Sequence, residues 1–100
     1  MDTLIDTLTA VMRGYAGRDL NGESFLMHSD EGNILTVIST GDLRGAHFAV
    51  ASLVACVVDR RIVIELDIND KPLVDALVAA GVPREQILLA YAGETGTYAA

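Results

Sequence analysis

Residues 77–94, LVAAGVPREQILLAYAGE, combine a helix end, a stop signal and an apolar strand in one short stretch. Gly81 can take the left-handed conformation that ends a helix, and Pro83 cannot continue one. The apolar run over residues 87–91 has the length and composition of a strand inside a sheet. We expect Gly81 and Pro83 to be structural, because nothing in this stretch is an obvious catalyst or ligand.

Two helices are predicted from apolar spacing. Before the opening stretch, Asp70 is a candidate N-cap, and Pro72 fits the first turn, where its missing N–H costs nothing. Residues 3–16 form a second amphipathic pattern, with Asp2 or Thr3 as the cap and Gly17 as the exit residue. The apolar stripe of this first helix comprises Leu4, Ile5, Leu8, Val11, Met12 and Tyr15.

Four more strands are predicted over residues 23–29, 33–40, 47–58 and 61–67. Residues 30–32 and 59–60 are expected to be tight turns, and residues 41–45 a loop. The resulting order, α-β-β-β-β-α-β, predicts an α+β fold with a mainly antiparallel five-stranded sheet and both helices packed on one face. We expect a single domain over residues 1–100, with a flexible tail from about residue 92.

Composition limits the partners of the chain. Hydrophobic residues make up 51% and aromatic residues 5%, so the core must consist mostly of aliphatic side chains. The net charge of −7 disfavours direct nucleic-acid binding by the isolated protein and contact with anionic membranes. A single cysteine, Cys56, and an acidic N-terminus without signal-peptide features predict a cytoplasmic protein.

Candidate chemical groups are few and scattered. His28, Asp30, Glu31, Asp42 and His47 could supply nitrogen and oxygen ligands, but their spacing matches no known metal motif. The apolar flanks of Cys56 predict an inert thiol, and Glu65 and Asp67 are spaced for a carboxylate pair on one strand face. We therefore predict no catalytic residue, cofactor or metal, although a small enzyme using His28, Asp30 and His47 is an alternative.

The run over residues 47–58, HFAVASLVACVV, is apolar on both predicted faces, whereas a sheet with one solvated face should alternate apolar and polar residues. Two short helices can cover only one face of the sheet. The other face is predicted to form a homodimer or a larger even oligomer. The expected contact residues are Leu53 and Val57, with Ala51 and Ala55 on the same face.

Residues 59–91 resemble the C-terminal half of the XisI family, the fdxN element excision controlling factors. Family members typically have an Asp-Gly-Lys hairpin, a strand similar to Ile-Trp-Ile-Gln, a helix ending in Leu-x-x-x-Gly-[Ile/Val]-Pro-[Lys/Arg], and a strand of the form Ile-Val-Leu-Ala-[Phe/Tyr]. The matching residues are Asp59 with Arg60 and Arg61, then Ile62, Ile64, Leu77, Gly81, Val82, Pro83, Arg84, Ile87, Leu89, Ala90 and Tyr91.

The chain departs from the family pattern before the hairpin. Members usually carry a polar strand, Gly-Cys-x-x-His-Ile-Asp-Ile, with a Gly-Trp and Arg-rich segment leading into it. Here Val54 is near the histidine position and Cys56 near the first aspartate. The resemblance is thus to a divergent XisI-like protein.

The resemblance implies a regulatory or accessory protein that acts by protein–protein interaction in DNA element excision, with a XisH-like, nuclease-related partner and no catalytic residues. An antitoxin- or immunity-like inhibitor of a nuclease is the alternative, because it would also be small, acidic and without catalytic groups.

Overall fold

Two helices lie on one face of a six-stranded sheet in the computed structural model, which describes residues 3–20 and 22–94. In chain order the elements are α1 (Thr3–Arg13), β1 (Gly17–Arg18), β2 (Gly22–His28), β3 (Ile34–Leu43), β4 (Ala46–Val58), β5 (Arg61–Asp67), α2 (Leu73–Ala79) and β6 (Ile87–Leu89), with 3₁₀ turns at Arg84–Gln86 and Ala90–Ala92.

The strands lie in chain order across the sheet, β1-β2-β3-β4-β5-β6. Every neighbouring pair is antiparallel except β5 and β6, which are parallel because α2 carries the chain back between them. The α+β class is confirmed. The predicted count of five strands is wrong, because Gly17 and Arg18 pair with Ser24 and Glu23 as a two-residue edge strand.

The core lies between the helices and the face of the sheet that they cover, here called the helix-side face. One buried cluster joins both helices to strands β3, β4, β5 and β6, so both helices lie on the same face, as predicted. Its helical members are Leu8, Met12, Leu73 and Leu77, and its strand members are Leu35, Val37, Leu53, Ala55, Ile62, Ile64 and Ile87.

The N-terminal end of α2 is stabilised by a residue of the preceding strand rather than by the expected Asp70. The Leu73 N–H donates to Asp67 Oδ2 at 2.7 Å. The other oxygen of Asp67 accepts hydrogen bonds from the backbone and side chain of Asn69 at 3.0 and 2.9 Å. For α1, Asp2 and the side chain of Thr3 lie outside the described residues, so the expected caps are not compared.

The C-terminal end of α2 has the Schellman geometry. Gly81 has a φ of 103°, and its N–H donates to the Val78 carbonyl at 3.0 Å. The Val82 N–H donates to the Leu77 carbonyl at 3.0 Å, and both side chains belong to the core cluster. Pro83, with a φ of −59°, then begins the 3₁₀ turn. This is the helix stop that residues 77–94 predict.

Both ends of β4 are two-residue turns. Asp59 and Arg60 join β4 to β5, with φ values of 50° and 63°, in agreement with the predicted turn. Arg44 and Gly45 join β3 to β4, with φ values of 55° and 80°. Positive φ at both central residues is the requirement of a type I′ hairpin. The predicted loop over residues 41–45 is therefore too long, because β3 continues through Leu43.

Two β-bulges change which side chains face the helices. On β4, Val37 pairs with Leu53 while the next residue of β3, Ile38, pairs with Ala51, so Ser52 is the extra residue. On β5, Ala55 pairs with Ile64 while Val54 pairs with Leu66, which leaves Glu65 as the extra residue. Because a bulge shifts the alternation by one residue, the faces of β4 exchange at Ser52.

Gly93 and Glu94, at the start of the predicted flexible tail, donate backbone hydrogen bonds to the carbonyls of Ala90 and Leu89. Ala92 closes a 3₁₀ turn, and Glu94 accepts hydrogen bonds from the Leu89 N–H at 2.9 Å and from Arg84 at 3.1 Å. The Leu89 N–H, followed by Arg84, lowers the pKa of the Glu94 carboxyl. Residues 95–100 lie outside the described part of the chain. Within residues 3–20 and 22–94, neither helix is long and apolar enough to cross a membrane.

Candidate interaction surfaces

The residues predicted to form a homodimer contact do not share one accessible face. Leu53 and Ala55 have 0% exposure and lie in the protomer's own core, and Val57 packs against that core. Ala51 lies on the opposite face, because the bulge at Ser52 separates it from Leu53. Placing Leu53 and Ala55 at a surface contact was wrong, because the helices cover this face.

The face opposite the helices, here called the outer face, carries a largely apolar patch across β2, β3 and β4, with Thr36 between Met27 and Val54. Residues that pair across neighbouring strands share a face, so Phe25 lies beside Ile38, and Ile34 lies beside Cys56. Neither helix contributes to this side. The outer-face patch consists of the exposed residues Phe25, Met27 and Ile34 and the half-buried residues Ile38, Val54 and Cys56.

The candidate metal ligands fall into two separated groups. His47 Nδ1 lies 3.3 Å from Asp42 Oδ1 beside the β3–β4 turn, and both side chains are exposed. His28 is at the other end of the sheet, where it pairs with Leu35. Leu35 and Asp42 are seven positions apart on β3, a distance of roughly 23 Å at ~3.3 Å per residue. A single site of His28, Asp30 and His47 is therefore excluded by the strand register.

No group of three or more potential ligands among His, Cys, Asp and Glu comes together within the described ranges. The cleft beside Asp42 and His47 has a volume of about 310 Å³ and is mostly polar. Its other lining residues are Arg18, Asp19, Gly22, Glu23, Thr40 and Gly41. In this cleft His47 lies close to the carboxylate of Asp42. The sequence had placed these two residues together only as members of a set of five candidate ligands.

Cys56 is half-buried on the outer face rather than enclosed in the core. Burial raises the pKa of its thiol, and the neighbouring Glu65 carboxylate raises it further. Both effects disfavour the nucleophilic thiolate, which agrees with the inert thiol that its apolar flanks predict.

Glu65 and Asp67 do not form the carboxylate pair that their spacing suggested. Glu65 is the exposed bulge residue of β5, whereas Asp67 pairs with Leu53 and binds the first turn of α2. The bulge changes the alternation between these two acids. Asp67 therefore acts as a structural hydrogen-bond acceptor at the junction of strand and helix.

A second cleft lies between the C-terminal end of α1 and the segment that leads into α2. The Tyr15 hydroxyl donates to the Lys71 carbonyl at 2.9 Å and joins the two sides. The cleft has a volume of about 440 Å³ and is lined in part by Val11, Asn69 and Ala76. Burial, and then the charges of Asp67 and Asp75, raise the pKa of Tyr15, so the hydroxyl keeps its proton for this hydrogen bond.

The fold of this chain is similar to that of two crystal structures from Anabaena variabilis ATCC 29413. A XisI-like protein shares 23% sequence identity with a TM-score of 0.64, over 87% of this chain and 79% of that one. The fdxN element excision controlling factor XisI shares 17% identity with a TM-score of 0.65, over 87% of this chain and 88% of that one. This chain has the XisI-like fold.

The structural match agrees with the resemblance that the sequence shows over residues 59–91, and it extends that resemblance to most of the chain. No protein-family model matches the sequence, and no curated protein matches it significantly. At these identities the match to XisI establishes the fold, because residue roles are not transferred by fold alone.

The sequence predicted an uncovered apolar face, but it did not identify the residues of the outer-face patch, although part of their signal was present. Phe25 and Met27 alternate with Leu26 and His28, which is the spacing of one strand face. The contribution of β4 was hidden, because nearly every residue from Phe48 to Val58 is apolar. Only the bulge at Ser52 decides which of those side chains face the helices.

Proposed function

We propose that this protein is a non-enzymatic accessory factor that acts by contact with another protein in the control of DNA element excision, or in a related mobile-element or nuclease system. The XisI-like fold supports the assignment to this class of factor. The partner we propose is a nuclease-related protein of the XisH kind, and the cytoplasm is the proposed location.

The observation that carries this proposal is the outer-face patch. It presents aromatic, Met and aliphatic side chains around Thr36, and its exposed members are Phe25, Met27 and Ile34. Contiguous exposed apolar surface of this kind marks interaction sites on soluble proteins, and aromatic and Met side chains are enriched at such interfaces. The patch therefore supplies a contact surface for the partner.

Binding of the purified protein to a nuclease-related companion encoded beside it would test the proposal. Met27→Asp places a charge inside the patch, and we expect it to weaken binding by at least about tenfold, which corresponds to ~1.4 kcal/mol. Val78→Asp is the matched control, because Val78 is exposed on α2, away from the outer face. Isothermal titration calorimetry measures both affinities.

Equal affinities for the two variants would overturn the role of the patch. Hydrolysis of DNA by the isolated protein with Mg²⁺ would overturn the non-enzymatic assignment. The second candidate, an immunity-like inhibitor, is favoured by the net charge of −7, which suits a basic nuclease. A nuclease assay separates the two, since an inhibitor lowers the partner's cleavage rate and an accessory factor maintains or redirects it.

A further inference from the structure

The N-terminal half of β4 has a strand on one side only. β3 pairs with it along its whole length, but β5 reaches no further than the pair between Asp67 and Leu53. Beyond that pair the Ile68 N–H donates to the Ser52 carbonyl at 3.1 Å, and the chain then turns away toward α2. In the described part of the chain, no strand pairs with the β5 side of residues 46–51, here called the open edge.

The hydrogen-bond pattern fixes the direction of the backbone groups along the open edge. The Val57 N–H donates to the carbonyl of Asn33, just before β3, at 3.0 Å. Because backbone groups alternate in an antiparallel ladder, Ser39 and its partner Val50 point toward each other. The residues whose N–H and C=O groups point to the empty side are His47, Ala49 and Ala51.

The side chains of the open edge lack the features that prevent strands from pairing. Natural edge strands are protected by charges, by proline, by a covering element or by extreme shortness. The open edge has the sequence AHFAVA, with no acid, lysine, arginine or proline. Its large apolar residues, Phe48 and Val50, are exposed, and so is Ile68 at the end where β5 leaves.

We propose that the open edge pairs antiparallel with the open edge of a second copy about a two-fold axis at Phe48, which joins the two sheets into one. The backbone groups of His47 would then bond those of Ala49 in the second copy, and those of Ala49 would bond those of His47. Phe48 would stand beside the partner's copy of the same segment, and aromatic cross-strand contacts of this kind stabilise sheets.

Two features select a second copy rather than an unrelated strand. The available length is bounded by the turn at Arg44–Gly45 and by Ile68, so the incoming strand must be short. The same segment of another copy has this length and ends in its own turn. Two chains of net charge −7 repel each other, and this edge is a place where they can meet without opposing acids. In a two-fold arrangement, the backbone groups of both open edges form hydrogen bonds with each other.

This inference is independent of the proposed partner, because it uses the edge of the sheet and leaves the outer-face patch free on both copies. Light scattering coupled to size exclusion should give twice the 10.6 kDa chain mass for the wild type at micromolar concentration. Ala49→Pro removes an N–H that points away from β3, so the β3–β4 ladder is preserved while the pairing is blocked. We expect this variant to be a folded monomer. Ala49→Val, which keeps the N–H, should remain a dimer.

Amide hydrogen exchange provides a test that needs no variant. In the dimer, the amides of His47 and Ala49 should exchange at least about tenfold more slowly than in a dilute monomeric sample. The amides of Phe48 and Val50 point toward β3 and should be protected at both concentrations. A monomeric wild type, a dimeric Ala49→Pro variant, or fast exchange at both outward amides in a dimeric sample would each overturn the proposal. Pairing of this edge only with a different protein would also overturn it.

Discussion

The two halves of β4 have nearly the same composition and opposite environments. Residues 46–50 are all exposed, whereas residues 53–58 are buried or half-buried, although both segments consist mainly of Ala, Val and one larger apolar residue. Leu53 is 0% exposed and Val50 is 45% exposed, only three positions apart. The difference arises from neighbours, since only the C-terminal half has β5 beside it and the helices above it.

The junction between the halves is the bulge at Ser52. Its hydroxyl donates to the Val37 carbonyl at 3.2 Å and accepts a hydrogen bond from Ser39 at 3.0 Å. Its carbonyl accepts hydrogen bonds from Ile68 and Asn69, at the point where β5 ends. Ser52 therefore marks two points on β4. The side chains exchange faces there, and the pairing of β4 with β5 ends there.

Shortening one large side chain in each half of β4 should give the largest difference between the halves in the free energy of unfolding. Leu53→Ala is expected to lower the free energy of unfolding by about 2–5 kcal/mol, because it leaves a cavity under the helices. Val50→Ala should cost less than about 1 kcal/mol in the monomer, since half-exposed side chains make few contacts. Urea denaturation at low protein concentration measures both. Similar losses for the two variants would show that the halves are equally buried in solution.

Removal of the Ser52 hydroxyl tests the junction itself. Ser52→Ala should cost about 1–2 kcal/mol, because the hydroxyl is buried and bonds two groups on β3. Ser24→Ala is the matched control, since Ser24 is only half-buried and its hydroxyl contacts Ser39 alone, at 2.9 Å. Thermal unfolding compares the two variants. A larger effect at Ser24 would contradict the role assigned to the bulge.

These residues also show how much of the fold the sequence could predict. The strand over residues 61–67, the turn at Asp59 and Arg60, and the helix stop at Gly81 were predicted because each depends on local periodicity or turn chemistry. The bulges were not predicted, since neither Ser52 nor Glu65 is a residue type that a bulge requires. The positions of the bulges depend on how the strands pair. Because they were not predicted, the residues of β4 were assigned to the wrong faces, and so was the predicted homodimer contact.

The smallest expected effect concerns the turns at the two ends of β4. Arg60 has a φ of 63°, a left-handed conformation that costs a residue with a Cβ at least about 1 kcal/mol. Glycine removes this cost but gains freedom in the unfolded chain, so Arg60→Gly should stabilise the protein by about 0.5 kcal/mol. The carbonyl at this position, which accepts a hydrogen bond from Gln86 at 3.0 Å, is retained in the variant.

Arg44→Gly provides the comparison, because Arg44 has a similar φ of 55° in the turn of the exposed half. Arg60 joins two core strands, so relief of its strain should raise the melting temperature by about 2–4 °C. Arg44 joins the ends of strands whose neighbouring side chains are exposed, and these ends can open before the core unfolds. The gain at Arg44 should therefore be smaller in dilute solution, and it should approach the gain at Arg60 at concentrations where the open edges pair. Differential scanning calorimetry at two protein concentrations measures this convergence, and equal gains at both concentrations would show that the two halves of β4 unfold as one unit even without a second copy.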